Sequence, residues 1–233
     1  MDTVILLAAG SGTRMQGIVE DKLLAPLCGQ AIFSYSLQAF IVSEVVDHAV
    51  IVYRDAAQRS ALDAIVSNTA SSIAKLTWVQ GGSERQDSVY NALIASEQSR
   101  YVYIHDCARP LIRPSALRQL KETLDLHPAA VLAHPVIDTI KRLPQAGKLE
   151  QTELEDLERS RLWAMETPQA FHYTEILKAY RHVRNEQLQI TDDAAAASTI
   201  GLKITLVPNE QPNPKVTTPS DLAYAAFLFE SSQ

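Results

Sequence analysis

Apolar residues along this chain follow two alternating patterns. Short apolar runs predict strands, at residues 3–7, 49–53, 76–79, 101–105, 130–135 and 203–207. Elsewhere apolar residues recur every three or four positions, which predicts helices at residues 31–42, 56–66, 87–95, 115–126, 174–184, 192–199 and 220–229. Because strands and helices alternate, the pattern predicts an α/β fold: a Rossmann-like, mostly parallel sheet with helices on both faces. Ligands bind beyond the carboxyl ends of the strands in such sheets, so the residues after each strand are the functional candidates.

Residues 136–161 interrupt this alternation. They are polar and charged, with basic residues at Lys141 and Arg142 and a concentration of acids from Glu150 to Glu158. The segment therefore predicts an excursion from the main sheet, a protruding hairpin-like arm. A solvated surface loop is the alternative, since charged runs commonly lie in solvent.

Composition fits one large α/β domain spanning residues 1–233, with 46% hydrophobic and 21% charged residues. The net charge of -6 argues against nucleic acid as a partner. No apolar run approaches the roughly 20 residues of a membrane span, and no basic segment precedes a long apolar stretch. The two cysteines, Cys28 and Cys107, lie far apart and match no zinc or disulfide pattern. We expect a cytoplasmic enzyme or binding protein.

The first candidate site follows the first strand, in the segment LAAGSGTRM (residues 7–15) and the later pair Asp21-Lys22. Small residues expose backbone N–H groups that bind anions, and Arg14 and Lys22 add positive charge, so the loop suits a polyphosphate. It lacks the third glycine of the dinucleotide fingerprint and matches no GxxxxGK[ST] motif. A glycine-containing turn before a helix is the alternative.

The second and third candidates also follow predicted strands. In GGSERQDSV (residues 81–89) the two glycines permit close backbone approach, and Asp87 or Ser88 is predicted to cap the next helix. Together with the first loop it is suited to grip a flat nucleobase. In HDCARP (residues 105–110), Asp106 suits a metal–phosphate site and Arg109 a phosphate, whereas His105 is predicted to pack in the core. An ordinary turn and a surface ion pair are the alternatives.

Four further segments carry candidate residues, and each alone is more often structural than catalytic. They are DTIKR (residues 138–142), Arg159 with the later segment ETPQAF (residues 166–171), ITDD (residues 190–193) and PKVTTP (residues 214–219). In ITDD, Thr191 is predicted to cap a helix whose positive end favours the two acids.

Taken in order, these segments resemble the 2-C-methyl-D-erythritol 4-phosphate cytidylyltransferases of the non-mevalonate isoprenoid pathway. The resemblance runs from about residue 3 to 230, and GGSERQDSV, HDCARP and KVTTPSDL carry it most specifically. It implies transfer of a cytidylyl group from CTP to methylerythritol phosphate with Mg²⁺ and release of pyrophosphate. It also implies a homodimer formed through the arm at residues 136–161.

The resemblance further implies roles for individual residues. The catalytic cations would be Arg14, Lys22, Arg159 and Lys215, with Arg159 reaching the substrate phosphate from a neighbouring subunit. CTP would be bound by Ala8, Ala9, Gly10, Gly12, Gly81, Gly82, Ser83, Arg85, Ser88 and Asp106. The phosphorylated polyol would be bound by Asp106, Arg109, Thr139, Arg159, Thr167, Thr191 and Lys215, and the metal by Asp106.

Three alternatives remain open at this point. A ribitol 5-phosphate cytidylyltransferase shares most of these motifs, and a guanylyltransferase for molybdenum cofactor has a similar first loop but no place for GGSERQDSV or KVTTP. A non-catalytic nucleotide-binding relative is the third. Its only support is that Asp21-Lys22-Leu23 stands where the family usually has Pro-Lys-Gln.

Overall fold

The computed structural model describes residues 1–10, 12, 21–69, 73–147 and 149–231. The strands are β1 (Thr3–Leu7), β2 (Pro26–Leu27), β3 (Gln30–Ala31), β4 (His48–Tyr53), β5 (Lys75–Gln80), β6 (Tyr101–Asp106), β7 (Ala129–Pro135), β8 (Lys141–Arg142), β9 (Glu155–Asp156), β10 (Trp163–His172) and β11 (Thr205–Pro208). The helices are α1 (Ile32–Ser43), α2 (Ala56–Thr69), α3 (Arg85–Ile94), α4 (Pro114–Leu124), α5 (Tyr173–Asn185), α6 (Asp193–Thr199) and α7 (Pro219–Glu230). Every strand and helix predicted above is present, with shifted ends.

Seven strands form one sheet in the order β11-β7-β10-β6-β1-β4-β5. β1 pairs in parallel with β4 and β6, β4 pairs in parallel with β5, and β11 pairs in parallel with β7. Only β10 runs antiparallel to its neighbours in this sheet. The predicted α/β fold with a mostly parallel sheet is thus confirmed.

Helices cover both faces of the sheet because successive side chains of a strand point to opposite sides. Val4 and Leu6 of β1 pack into a core with α1, α2, α4 and α7, whereas Ile5 packs into a second core with α3, α5 and α6. All three side chains are fully buried. Such two-sided burial explains why the strands are apolar runs rather than alternating ones.

β1 lies at the point where the chain changes direction across the sheet. From β1 the chain adds β4 and β5 on one side, and then crosses back to place β6 on the other side. Leu7 at the end of β1 lies opposite Asp106 at the end of β6. A crevice forms where parallel strand order reverses, so the ligand site is expected beyond these two strand ends.

The antiparallel strand β10 was not among the predicted strands. Its pairing with β7 shifts register between Met165 and Gln169, which marks an irregularity around Thr167 and Pro168. A proline within an apolar run argues against a central strand, because it cannot donate to the hydrogen-bond ladder. The irregularity lies at that proline, so the strand continues past it although the sequence argues against a strand there.

The predicted arm is a hairpin outside the main sheet. β8 pairs antiparallel with β9, and ion pairs link Lys141 with Asp156 and Arg142 with Glu155 across the two strands. All four side chains are exposed. The short β2–β3 hairpin, in contrast, was not predicted.

Two helix caps differ from the prediction. Glu84 is the N-cap of α3, and Asp87 completes a capping box by accepting a hydrogen bond from the backbone N of Glu84 at 3.2 Å, whereas Ser88 takes no part in it. Asp192 caps α6 by accepting from the backbone N of Ala195, and the exposed Thr191 lies one residue before it. A carboxylate one residue closer to the helix competes successfully with the threonine hydroxyl. None of the helices among the described residues is long and apolar enough to cross a bilayer.

Candidate active site

A cleft of about 450 Å³ lies at the carboxyl ends of β1 and β6. It is the crevice expected from the strand order. The lining comes from four stretches of chain that were singled out in the sequence, together with the end of β4. Its residues are Leu7, Ala9, Gly10, Lys22, Leu23, Arg54, Gly82, Ser83, Glu84, Arg85, Ser88, Asp106, Ala108 and Lys215.

The glycine pair after β5 permits a contact that no larger residue would allow. A Cβ atom on Gly81 would lie 2.6 Å from the Cβ of Ala9, and one on Gly82 would lie 2.3 Å from the Cβ of Asp87. The backbone N of Gly82 donates to the Ser88 hydroxyl at 3.0 Å, which fixes the loop over the start of α3. The two small-residue loops therefore meet closely at the cleft, as predicted.

The first loop contributes its described residues to the same place. Ala8 is buried, and Ala9 and Gly10 line the cleft. Gly12 has a positive φ of 60°, a conformation that favours glycine. Arg14 lies outside the described residues.

Lys22 joins the first loop to the segment that carries Lys215. Its Nζ donates to the backbone O of Val216 at 3.2 Å, and the backbone N of Val216 donates to the O of Ala108 at 2.8 Å. Both lysines line the cleft. Two cations separated by nearly the whole sequence thus lie on one surface.

Asp106 is the acidic centre of the cleft. One carboxylate oxygen lies 2.5 Å from Nζ of Lys215, and the other lies 3.3 Å from Nε of Arg85. Burial alone would raise the pKa of Asp106, but the neighbouring charges of Arg85 and Lys215 hold it well below its ordinary value. The carboxylate is therefore ionised at neutral pH.

Arg85 extends this network into the core. Its Nη1 and Nη2 lie 3.1 and 2.8 Å from the two oxygens of Asp193, which also accepts from the Tyr180 hydroxyl at 2.5 Å. Burial alone would lower the pKa of Arg85, but Asp193 and Asp106 raise it above its ordinary value. Asp193 is fully buried. It lies in the first turn of α6, as predicted, and it also anchors a cleft-lining arginine.

Arg109 and Thr167 lie beside Asp106. The Thr167 hydroxyl accepts from the backbone N of Asp106 at 3.1 Å and lies 3.2 Å from Nδ1 of His105. Nη1 of Arg109 donates to the O of Asn213 at 2.6 Å, while its buried Nε has no hydrogen-bond partner within the described chain. Burial lowers the pKa of Arg109, because its guanidinium is largely removed from water.

Neither His105 nor Cys107 is poised for chemistry. Burial lowers the pKa of His105 to about 4, so its ring is neutral near pH 7 and supports Thr167 and Ser36. Burial raises the pKa of the Cys107 thiol, which is fully enclosed. The prediction that His105 packs in the core is confirmed.

Five predicted substrate residues do not line the cleft of this single chain: Arg109, Thr139, Arg159, Thr167 and Thr191. Thr139 and Arg159 are exposed in the arm, where Nη1 of Arg159 donates to the O of Ile137 at 3.0 Å. Thr191 is exposed before α6. One chain therefore brings together Lys22, Lys215, Arg85 and Asp106, and leaves the arm residues on a separate surface.

Sequence analysis missed Arg54, which lines the cleft, and Gln58, which supports it. Arg54 directly follows β4, so its position after a parallel strand was the available signal. Gln58 is 2% exposed and donates to the O of Ala8 at 3.0 Å. Nothing in the local sequence distinguishes it from other polar helix residues.

Asp106 is suited to act as a magnesium ligand only together with a substrate. The described residues contain no group of three or more His, Cys, Asp or Glu side chains that would hold a metal ion. A single ionised carboxylate facing a cleft matches the way Mg²⁺ is held between one acid and the phosphates of a nucleotide. The residues present therefore fit the metal, with phosphate oxygens and water completing its shell.

This chain is similar to proteins of one known family over nearly its full length. The family model described as "IspD: 2-C-methyl-D-erythritol 4-phosphate cytidylyltransferase" matches residues 3–231. The chain is 37% identical over 231 residues to a protein of that name from Synechococcus elongatus, covering 99% of this chain and 97% of the relative. It is also 37% identical over 231 residues to the one from Halalkalibacterium halodurans, covering 99% and 98%.

Solved structures share the fold. A 4-diphosphocytidyl-2C-methyl-D-erythritol synthase from Anaerococcus prevotii superposes with a TM-score of 0.84 at 23% identity, covering 99% of this chain and 96% of the other. A 2-C-methyl-D-erythritol 4-phosphate cytidylyltransferase from Francisella tularensis gives a TM-score of 0.77 at 26% identity, covering 97% and 99%. The fold of this chain thus also occurs in these proteins.

Proposed function

The chain belongs to the 2-C-methyl-D-erythritol 4-phosphate cytidylyltransferase family, and we propose that it transfers the cytidylyl group of CTP to 2-C-methyl-D-erythritol 4-phosphate. The products are 4-diphosphocytidyl-2-C-methyl-D-erythritol and pyrophosphate. The observation that carries this proposal is the cleft itself. Arg85 and Lys215 contact Asp106, and these three residues line one cleft with Lys22 and two small-residue loops.

The reaction requires charge compensation rather than proton transfer. A phosphate oxygen of the polyol forms a bond to the α-phosphorus of CTP, and the bond from that phosphorus to the pyrophosphate oxygen breaks. A phosphate dianion is already a nucleophile at neutral pH, so no general base is needed. This agrees with His105 being buried and neutral. Catalysis consists of bringing two anions together and stabilising the charge at the transferring phosphorus.

Different residues of the site bind different parts of the two substrates. Backbone groups of residues 8–10 and 81–83 hold the cytidine, and Lys22 and Lys215 compensate the phosphates of the two substrates. Arg109 and Thr167, which both contact the backbone of Asp106, are assigned to the phosphorylated polyol by family resemblance. By family resemblance, Arg14 joins Lys22 on the triphosphate. The same resemblance assigns further residues to the two substrates. CTP would also contact Gly12, Ser83 and Ser88, and the polyol would also contact Thr191.

Mg²⁺ is proposed as the cofactor, held by Asp106. When bound, it supplies a second centre of positive charge between the phosphates. Lys215 contacts the same carboxylate, so its ammonium group would add positive charge next to the ion that Asp106 would hold. Asp106 thereby positions Lys215 as well as the ion.

We also propose that two chains associate through the arm at residues 136–161. Ile137, Ile140, Leu149 and Leu154 are exposed apolar side chains in this segment, which favours its burial against a second copy. Association would bring Thr139 and Arg159 of one chain to the cleft of the other, which neither lines within its own chain. A cytoplasmic location fits an enzyme acting on CTP and remains part of the proposal.

The alternatives from the sequence are not favoured. The family model and the relatives described above are named for methylerythritol phosphate and not for ribitol phosphate. The cleft keeps its described cations, Lys22 and Lys215, which argues against a protein that only binds nucleotides.

Pyrophosphate release tests the assignment. The protein is incubated with Mg²⁺, each of the four ribonucleoside triphosphates and either methylerythritol phosphate or ribitol 5-phosphate. We expect release only with CTP, and fastest with methylerythritol phosphate. Faster release with ribitol 5-phosphate would contradict the acceptor, and no release with any pair would contradict the reaction.

A further inference from the structure

Asp21, the residue before Lys22, is almost enclosed although it carries a charge. Its side chain is 7% exposed. It accepts hydrogen bonds from the backbone N of Leu23 at 2.9 Å and from Nε2 of Gln58 at 2.7 Å, and its Oδ2 lies 3.3 Å from Nη2 of Arg54. A buried carboxylate needs such donors, because its charge is costly to remove from water. These three contacts therefore hold the Asp21 carboxylate in one position.

Gln58 connects Asp21 to the first small-residue loop through hydrogen bonds. Its side-chain nitrogen donates both to Asp21 and to the O of Ala8 at 3.0 Å, and its side-chain oxygen accepts from the backbone N of Arg54 at 2.7 Å. One side chain thus holds the end of β1, the end of β4 and the Lys22 turn together. We call Asp21, Arg54 and Gln58 the clasp.

The clasp sets the backbone of Lys22. The Asp21 carboxylate bonds Leu23 N, and its backbone O accepts from Leu24 N at 3.2 Å, so the turn around Lys22 is held on both sides. Lys22 then lies on the cleft surface and donates to the O of Val216. Arg54 lines the same cleft.

We propose that Asp21 is a positioning residue, which acts through Lys22 and, with Gln58, fixes the distance between the cytidine loop and the phosphate-binding lysine. This inference rests on the proposed function. A small displacement of the Lys22 ammonium group should lower the rate of phosphoryl transfer, because this catalysis depends on the position of charged groups around the reacting phosphate. Asp21 itself touches no substrate in this account.

A double-mutant cycle separates positioning from folding. Asp21→Ala and Asp21→Asn are each made in the wild-type chain and in the Lys22→Met chain, and kcat/KM for CTP is measured with radiolabelled CTP. Asp21→Asn keeps an oxygen for Leu23 N but turns a nitrogen toward Gln58 and Arg54. Asp63→Asn, which removes an exposed acid from α2, is the matched control.

In the wild-type background we expect Asp21→Ala to lower kcat/KM by about tenfold or more, with a smaller loss for Asp21→Asn. In the Lys22→Met background both substitutions should change it less than about twofold, since the residue through which they act is gone. Equal losses in both backgrounds, or no loss in the first, would overturn the inference. Absence of turnover by the unsubstituted chain would instead contradict the proposed function. CTP affinity, measured by calorimetry in the same six chains, then tests the role of Asp21 by the same comparison.

Discussion

Arg85 and Asp193 form a two-point contact at the base of the cleft, in which Nη1 and Nη2 of the arginine lie 3.1 and 2.8 Å from the two carboxylate oxygens. Asp193 is fully buried on α6, whereas Arg85 reaches the cleft and its Nε faces Asp106. The contact links the substrate surface to the helical layer behind it. Asp106 is thereby held between an anchored arginine and Lys215.

Removing the charge of Asp193 should destabilise the fold. In Asp193→Asn a buried amide nitrogen faces Arg85, so a charged group loses its partner, and we expect a loss of about 3 kcal/mol in the free energy of unfolding. Urea unfolding measures the loss. Glu122→Gln, at an exposed position on α4, should change stability by less than about 0.5 kcal/mol. Equal stability of Asp193→Asn and wild type would show that Arg85 does not depend on this anchor.

Alanine at Gly82 should disrupt the cytidine loop. The added Cβ would lie 2.3 Å from the Cβ of Asp87, so the loop must shift, with an expected loss of about 1–3 kcal/mol in stability and weaker CTP binding. Gly10→Ala is the control for stability, since nothing lies within 4 Å of its added Cβ. Thermal unfolding and calorimetric titration with CTP check both variants. A loss of stability in Gly10→Ala as large as that in Gly82→Ala would contradict the packing argument.

Acid should destabilise the protein through its buried histidines. Burial lowers the pKa of both His48 and His105 from 6.5 to about 4, so between these values the unfolded chain binds protons that the folded chain does not. Their contribution is complete above pH 6.5 and is lost as the pH falls toward 4, by up to about 1.4 kcal/mol per pH unit for each ring.

Urea unfolding across this pH range tests the contribution. His48→Gln should flatten the dependence, whereas His127→Gln, at an exposed position, should leave it unchanged. The same slope in wild type and in His48→Gln would show that His48 takes no part.

Arg159 should act on the cleft of a second copy. Arg159→Ala and Lys215→Ala are each expected to be nearly inactive, but in mixed dimers one site combines an intact cleft with an intact arm. Random mixing during co-expression should restore about one quarter of the wild-type rate, since half the dimers carry one complete site. Recovery no greater than the sum of the two variants would contradict action between subunits.

Much of this site could be predicted from the sequence, because its residues follow apolar strands or belong to small-residue loops. The apolar run before Asp106 and the glycine pair before α3 are local signals, and both place their residues at the carboxyl edge of a parallel sheet. Lys215 was identified only by resemblance, because its segment has no strong secondary-structure pattern. The structure then places its Nζ on Asp106.

Contacts between segments that are distant in the sequence could not be predicted from the sequence alone. Arg85 and Asp193 lie 108 residues apart, and the acid in ITDD gave no sign that it would turn from the helix end to an arginine. β10 was hidden by Pro168, and the role of Asp21 depends on Gln58 from another element. Such pairings are decided by packing rather than by local propensity.

The most direct test compares the wild-type chain with Lys215→Met on CTP, methylerythritol phosphate and Mg²⁺, with the product followed by phosphorus NMR. Arg85 still pairs with the partly buried Asp106 when Lys215 is replaced, so the variant should remain folded, which urea unfolding checks. We expect a cytidine diphosphate ester and equimolar pyrophosphate from the wild type, and a rate lower by about a hundredfold in the variant. Equal rates in the two chains, or CTP left intact by the wild type, would contradict cytidylyl transfer at this cleft.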